Sequence, residues 1–328
     1  MIFLRAALAV LLVGGGVRGQ DRTPEAVLEE YRAIRIPWSG TMGEEEYEAL
    51  VRERCGRQAA LALELYEGWP EHPEARRLMQ GRWALLLNVF DDPARVLEET
   101  AAAPEAYGAE AAFARAHATL ETEDATVADK LARVQEAIAK APDDAEWVAF
   151  LLYELAKNHI ANPQRQRAIL EKLAETHPRA DATRRAQQHL KALDNVGKPF
   201  DLDLGATGTP PRYRILHIWT TWSQRDRKDL KTLADLLKRT DDPNRLTIQS
   251  ILLTDDEDTL NRANRMAEEA GLKDRKDWTL HVKPTTADAD WLEAKHLDGT
   301  PALVLLDLKG RVAAVTGRAA PLAKATAR

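Results

Sequence analysis

The sequence predicts an all-α, helical-repeat-like N-terminal domain over residues 23–195 and an α/β domain over 213–328, joined by a connection at 196–212. Two observations carry this. From Thr23 to about Asn195, alanine and leucine recur at spacings of three and four, the mark of amphipathic helices, and strand signals are nearly absent. After Arg212, short runs rich in isoleucine, leucine and valine alternate with helical patterns, which implies a mostly parallel sheet.

The first helix opens on Thr23 as N-cap, with Pro24 at the first helical position and Glu25 in the first turn. Amphipathic segments follow at about 44–68, 74–90, 92–102, 105–121, 126–140, 144–160, 164–176 and 180–194. Pro73, Pro104, Pro142 and Pro178 each stand at a helix boundary. Glu71-His-Pro73 and Thr176-His-Pro178 resemble the turn between tetratricopeptide (TPR) repeats, which stack as helix pairs and present a concave surface to other proteins. A helical domain that merely supports its neighbour is the alternative. Glycine, proline and threonine then concentrate between Val196 and Arg212, as expected of an irregular connection.

Strands are predicted at 213–219, 246–253, near 278–282, at 301–307 and at 311–316, the last two joined through Lys309-Gly310 as an antiparallel hairpin. Helices are predicted around 228–237, at 256–270, where Gly271 supplies the left-handed closing residue, and near 288–296.

Composition narrows the function. A net charge of -6 with scattered basic residues argues against nucleic acid as a partner, because phosphate binding needs concentrated positive charge. Residues 1–19 read as a secretory signal peptide: Arg5, an apolar run from Ala6 to Val13, then Gly14 to Gly16 and small residues before Gln20. The apolar run is too short to span a bilayer and no later stretch is long enough, so the expected location is the periplasm, reached by export. Cys55 is the only cysteine, which excludes an internal disulfide framework. It reads as a small, partly buried side chain. Arg52, Arg54 and Arg57 nearby would lower a thiol pKa, so a reactive thiol is the alternative.

Two motifs carry a family resemblance. Trp219-Thr-Thr-Trp222-Ser223-Gln-Arg-Asp226 follows the first strand and leads into a helix, and it resembles the W-A-T-W-C-x-x-C segment of extracytoplasmic thioredoxin-fold proteins, the TlpA/ResA-like redoxins. Gly299-Thr300-Pro301, followed by an apolar run, Asp307 and Gly310, is similar to their G-T-P stretch. The resemblance implies a thioredoxin-like α/β fold over about 198–317, with Pro301 as a cis-proline facing the active-site turn. It also implies that the last helix is cut short, since only Arg318 to Arg328 follow Gly317, leaving one sheet face less covered.

Ser223 and Asp226 stand where the resemblance places the two cysteines. Thiol–disulfide exchange needs a thiolate to attack and a second thiol to resolve the mixed disulfide, and neither residue supplies one. Ser223 and Asp226 read instead as a capping-box variant, with Asp226 favouring the positive end of the helix dipole. His217 lies within the strand and reads as a hydrogen-bonded core histidine rather than a base for Ser223. For Trp219 and Trp222, core packing and a partner-binding platform both stand. Thr254 to Asp258 lacks the ligand spacing of a calcium loop and reads as helix capping. No metal or cofactor motif is found.

The expectation is a non-catalytic, redox-inactive envelope protein that binds protein or peptide partners in a groove beside Thr300 and Pro301. The alternative is a thioredoxin-type thiol–disulfide oxidoreductase acting through a non-standard thiol, for which only Cys55 is available.

Overall fold

The computed structural model describes residues 22–36, 44–141, 145–200, 211–221, 224–254, 256–283, 296–297 and 302–326. Two compact units divide after Ala114.

The first unit is helical: α1 (Pro24–Ala33), α2 (Glu44–Gly68), α3 (Ala75–Asn88), α4 (Pro93–Ala101), a short 3-10 turn at Glu105–Tyr107, and the start of α5 (Gly108–Glu121). Thr23 caps α1 as its sequence demands, the side chain accepting from Ala26 N at 3.3 Å. Asp92 caps α4 in the same way ahead of Pro93. In both helices the proline fills a position whose N–H would have no helical partner. Val27, Leu28, Leu61, Ala62, Leu65, Ala75 and Leu78 close the core. Arg82, buried on α3, donates to Glu99 at 2.9 and 2.6 Å and to Ala59 O at 2.7 Å.

The second unit runs from Arg115 to the last described residue and mixes helices with a sheet. The remainder of α5 is followed by α6 (Val127–Lys140), α7 (Ala145–His159), α8 (Pro163–Thr176) and α9 (Asp181–Leu193). Then come β1 (Tyr213–Trp219), α10 (Gln224–Thr240), β2 (Leu246–Leu253), α11 (Glu257–Ala270), β3 (Trp278–Lys283), β4 (Ala302–Asp307), β5 (Val312–Thr316) and α12 (Ala319–Thr326). Pro73 and Pro178 lie in the turns between α2 and α3 and between α8 and α9. Gly271 ends α11 at φ 78°, the left-handed conformation expected of it. The helix expected near 288–296 falls outside the described residues, save for His296 in a turn.

The five strands are ordered β3-β2-β1-β4-β5. β1 pairs parallel with β2, as does β2 with β3, whereas β4 runs antiparallel to both β1 and β5. This is a thioredoxin-like α/β arrangement preceded by a helical domain. Side chains alternate between the faces of a strand, so one strand serves two cores. Ile215 and Trp219 of β1 pack with Leu230, Leu233 and Leu237 of α10, Ala263 and Met266 of α11, and Leu322 of α12. Leu216 and Ile218 pack on the opposite face with Tyr153 of α7, Leu170 and Leu173 of α8, and Ala186 and Leu193 of α9.

That second core corrects one expectation. The chain after Gly317 is short, and α12 covers part of only one face, yet neither face is left bare. Helices α7 to α9 cover the other, because their alanine- and leucine-rich stripes match the period-two apolar run of β1 and β4. The change of sequence pattern near residue 196 is therefore a change of secondary structure inside one compact unit.

Candidate functional site

β1 delivers the candidate site. Leu216 and Ile218 face α7–α9, Ile215 and Trp219 face α10–α12, and strand alternation puts His217 on the latter side. Trp219 has no solvent exposure, which places it in the core rather than on a contact surface. His217 stacks on it, with ring centroids 5.7 Å apart and planes 13° from parallel. Its Nδ1 lies 3.3 Å from Ser250 Oγ on the paired residue of β2, and Ser250 in turn accepts from Trp278 Nε1 at 2.9 Å. Complete burial drives the His217 pKa down to about 3, so the ring is neutral at physiological pH. It is the core histidine that its place in the strand predicts.

Thr220 and Thr221 continue past the strand, both buried. Trp222 and Ser223, the central pair of the sequence motif, lie outside the described residues, as do Thr300 and Pro301 of the second motif. The chain is described again at Gln224, the start of α10.

Asp226, in the first turn of α10, is fully buried. Its Oδ2 accepts from the Thr220 backbone N at 3.2 Å and from Thr220 Oγ1 at 3.1 Å, tying the helix back to the end of β1. Burial, reinforced by the negative charge of Asp229, raises its pKa to about 7 despite the donors from Thr220. A role at the helix dipole accounts for an acid in the first turn but not for one sealed from water. The position that resembles the second redox cysteine thus holds an acid that titrates near neutrality.

Around Asp226 lies an ion network that motif reading did not anticipate. Asp229 is also buried, with Oδ1 accepting from Ala319 N at 2.8 Å and lying 3.5 Å from Arg318 Nε. Arg318 donates to Glu121 Oε2 at 3.1 Å, and Arg225 reaches both Glu121 and Glu154 at 3.2 Å. Asn158 completes the group by donating to Glu154 at 2.8 Å. Burial would raise the Glu121 pKa, but the charges of Arg318 and Arg225 outweigh it and bring the pKa to about 2. Burial raises Asp229, with Arg318 opposing. Four carboxylates and two guanidinium groups meet here, and burial together with the charge of Asp229 favours the protonated form of Asp226.

The signal for this network was in the sequence. Asp226 and Asp229 fall on the same three- and four-residue spacing as Leu230, Leu233 and Leu237, the buried stripe of α10. Acids on an apolar stripe are buried acids, and buried acids recruit partners.

Cys55 belongs to the first unit, on α2, and is 2 % exposed. Burial pushes its thiol pKa up, opposite to the effect expected from the neighbouring arginines, because Arg54 and Arg57 are turned to Arg35 O and Glu30 instead. Among the described residues, no cluster of His, Cys, Asp or Glu is placed to hold a metal ion, and no helix is long and apolar enough to cross a membrane.

No protein-family model and no curated protein matches the chain. Several solved structures resemble it. One is the thioredoxin domain of a thiol-disulfide oxidoreductase from Bacteroides vulgatus, 19% identical over 36% of this chain and 79% of that one, with a TM-score of 0.31. Another is a thioredoxin-like protein from Parabacteroides distasonis, 17% identical over 41% of this chain and 96% of that one, at 0.33. A third, a thioredoxin-like protein from Bacteroides caccae, is 14% identical and spans 90% of this chain and 98% of its own, at 0.35. With identities and scores this low, what the site does is read from its own residues.

Proposed function

We propose that this chain is a redox-inactive thioredoxin-like protein of the cell envelope that binds protein or peptide partners. The observation that carries the reading is Asp226. At the position that resembles the resolving cysteine, the chain has an acid fixed to Thr220 and enclosed by the core. Disulfide exchange requires a thiol there, and a carboxyl group can neither attack nor release sulfur. The only thiol, Cys55, is buried with a raised pKa, which suppresses the thiolate that any substitute chemistry would need.

In this reading residues 1–19 direct export and the mature chain works in the periplasm. The TPR-like helices offer a partner surface, and Trp222, Ser223, Thr300 and Pro301 form a groove for extended polypeptide. Two experiments test it together. In a dithiothreitol-coupled insulin reduction assay, the mature chain should show no rate above background. Immobilised on beads and exposed to envelope extract, it should retain the same proteins with and without reductant, and a Thr300→Arg variant should retain less. Insulin reduction, or partners that disappear with reductant and in a Cys55→Ala variant, would overturn the proposal in favour of thiol chemistry.

A further inference from the structure

A second feature of the larger unit borders the ion network around Asp226 through Glu121 and Arg318. A cleft of about 50 Å³ is lined by Leu120, Glu121, Lys130, His159, Arg318 and Lys324, with exposed Glu123 at its rim. A water molecule needs roughly 10–15 Å³ of such space, so the cleft has room for about four water-sized atoms.

Lys130 is the unusual member. It is 7 % exposed, and its Nζ donates to Leu120 O at 2.6 Å and contacts His159 Nδ1 at 3.1 Å. No carboxylate lies within ion-pair distance of it among the described residues. Glu121 is near enough to act on it electrostatically but is committed to Arg318 and Arg225. A buried ammonium without a counter-ion is costly, and proteins pair such charges. Here burial pulls the Lys130 pKa down to about 8, which leaves it cationic at neutral pH.

His159 adds a second unmet donor. An ammonium donating to Nδ1 requires that nitrogen to be unprotonated, which places the ring proton on Nε2. Burial and the Lys130 charge hold the ring neutral. The enclosed Nε2 has no hydrogen-bond partner among the described residues. Of the ionised residues lining the cleft, Lys130, Arg318 and Lys324 outnumber Glu121 and Glu123, so its charge is net positive.

We propose that this cleft is a binding site for a compact oxyanion, a carboxylate or a phosphate-like group, held by Lys130 Nζ beside the neutral His159 ring, with Lys324 at the mouth. Four or five heavy atoms fill the space, oxygen acceptors meet the Lys130 ammonium, and one negative charge balances the wall. The occupant also lies against Arg318, whose guanidinium continues to Asp229 on α10. The site stands whether or not the redoxin-like turn binds a partner.

Isothermal titration calorimetry on the full chain tests it, with phosphate, sulfate and acetate as titrants against chloride at matched ionic strength. At least one oxyanion should bind saturably where chloride does not, and Lys130→Met should weaken it tenfold or more. Binding of phosphate and sulfate alone would identify an inorganic-type oxyanion, and binding of acetate alone a carboxylate. As a check that needs no variant, the His159 imidazole nitrogen resonances should move with oxyanion concentration. Heats equal to those of chloride with unmoved His159 resonances would overturn the proposal, as would undiminished affinity in a folded Lys130→Met protein.

Discussion

Replacing Asp226 with asparagine tests whether the acid in the first turn of α10 is a buried, proton-holding group. Asparagine keeps the shape and an oxygen acceptor for the Thr220 N–H and O–H donors, and it removes only the titration. The folded-state pKa of about 7 lies above the ordinary value of 3.8. A group raised in this way stabilises fully below its unfolded pKa and loses that contribution as pH rises through the folded one. At ~1.36 kcal/mol per pH unit, the wild-type carboxyl loses about 3 kcal/mol of stability between roughly pH 5 and pH 8. His217, His117 and His159 have lowered pKa values and change stability in the opposite sense over part of that range, so the wild-type profile alone is not diagnostic. The difference between wild type and Asp226→Asn cancels them. Denaturant unfolding followed by tryptophan fluorescence at both pH values should show the variant gaining about 3 kcal/mol relative to wild type on going from acid to base. Parallel profiles would refute the burial argument and with it the reading of Asp226 as a core acid.

Further outcomes follow from the same packing. Cys55 in the native protein should resist an aromatic disulfide reagent at pH 8 and react at once in denaturant, because both its burial and its raised pKa withhold the thiolate. Arg318→Met leaves Asp229 without its cation and Glu121 with only Arg225, so unfolding free energy should fall by about 3–5 kcal/mol, measured at pH 7. Gly317→Ala places a methyl 2.1 Å from Asn158 Oδ1 and 2.9 Å from Lys157 Cε, and should cost about 1–3 kcal/mol in the same assay. A fragment beginning at residue 196 exposes Leu216, Ile218, Ile251, Val304, Leu306 and Val315. At ~1.5–3 kcal/mol for each side chain, that loss rivals a whole domain's stability, so circular dichroism should show no cooperative melt, whereas residues 115–328 should melt cooperatively.

Periodic features were read from the sequence with little error. The strand at 213–219, the helix ending at Gly271 and the Thr23-Pro24 cap all depend on neighbours within a turn or a strand, and such local chemistry is written in consecutive residues. Cover for the second sheet face was not legible, because it depends on which apolar stripe meets which across a long separation in the chain. The ion network was missed for a related reason. Glu121, Glu154 and Arg318 are unremarkable surface-type residues in their own segments, and only the fold brings them together. Asp226 and Asp229 could have been placed in the core by their spacing from Leu230 and Leu233.

The same residues bear on what kind of module this is. The apolar cover of the sheet comes from α7 to α9, and the partners of Arg225 and Arg318 come from α5 and α7 as well as from α10. Both the core and the ion network therefore join the redoxin-like segment to helices that precede it in sequence. A thioredoxin-like domain that carried its own complete cover could exchange its helical neighbour freely, and this one could not. The start of α10 is tied to β1 through Thr220 and Asp226 and, through Asp229 and Arg318, to Glu121 on α5. The core and the ion network thus form one continuous set of contacts inside the compact unit that runs from Arg115 onward.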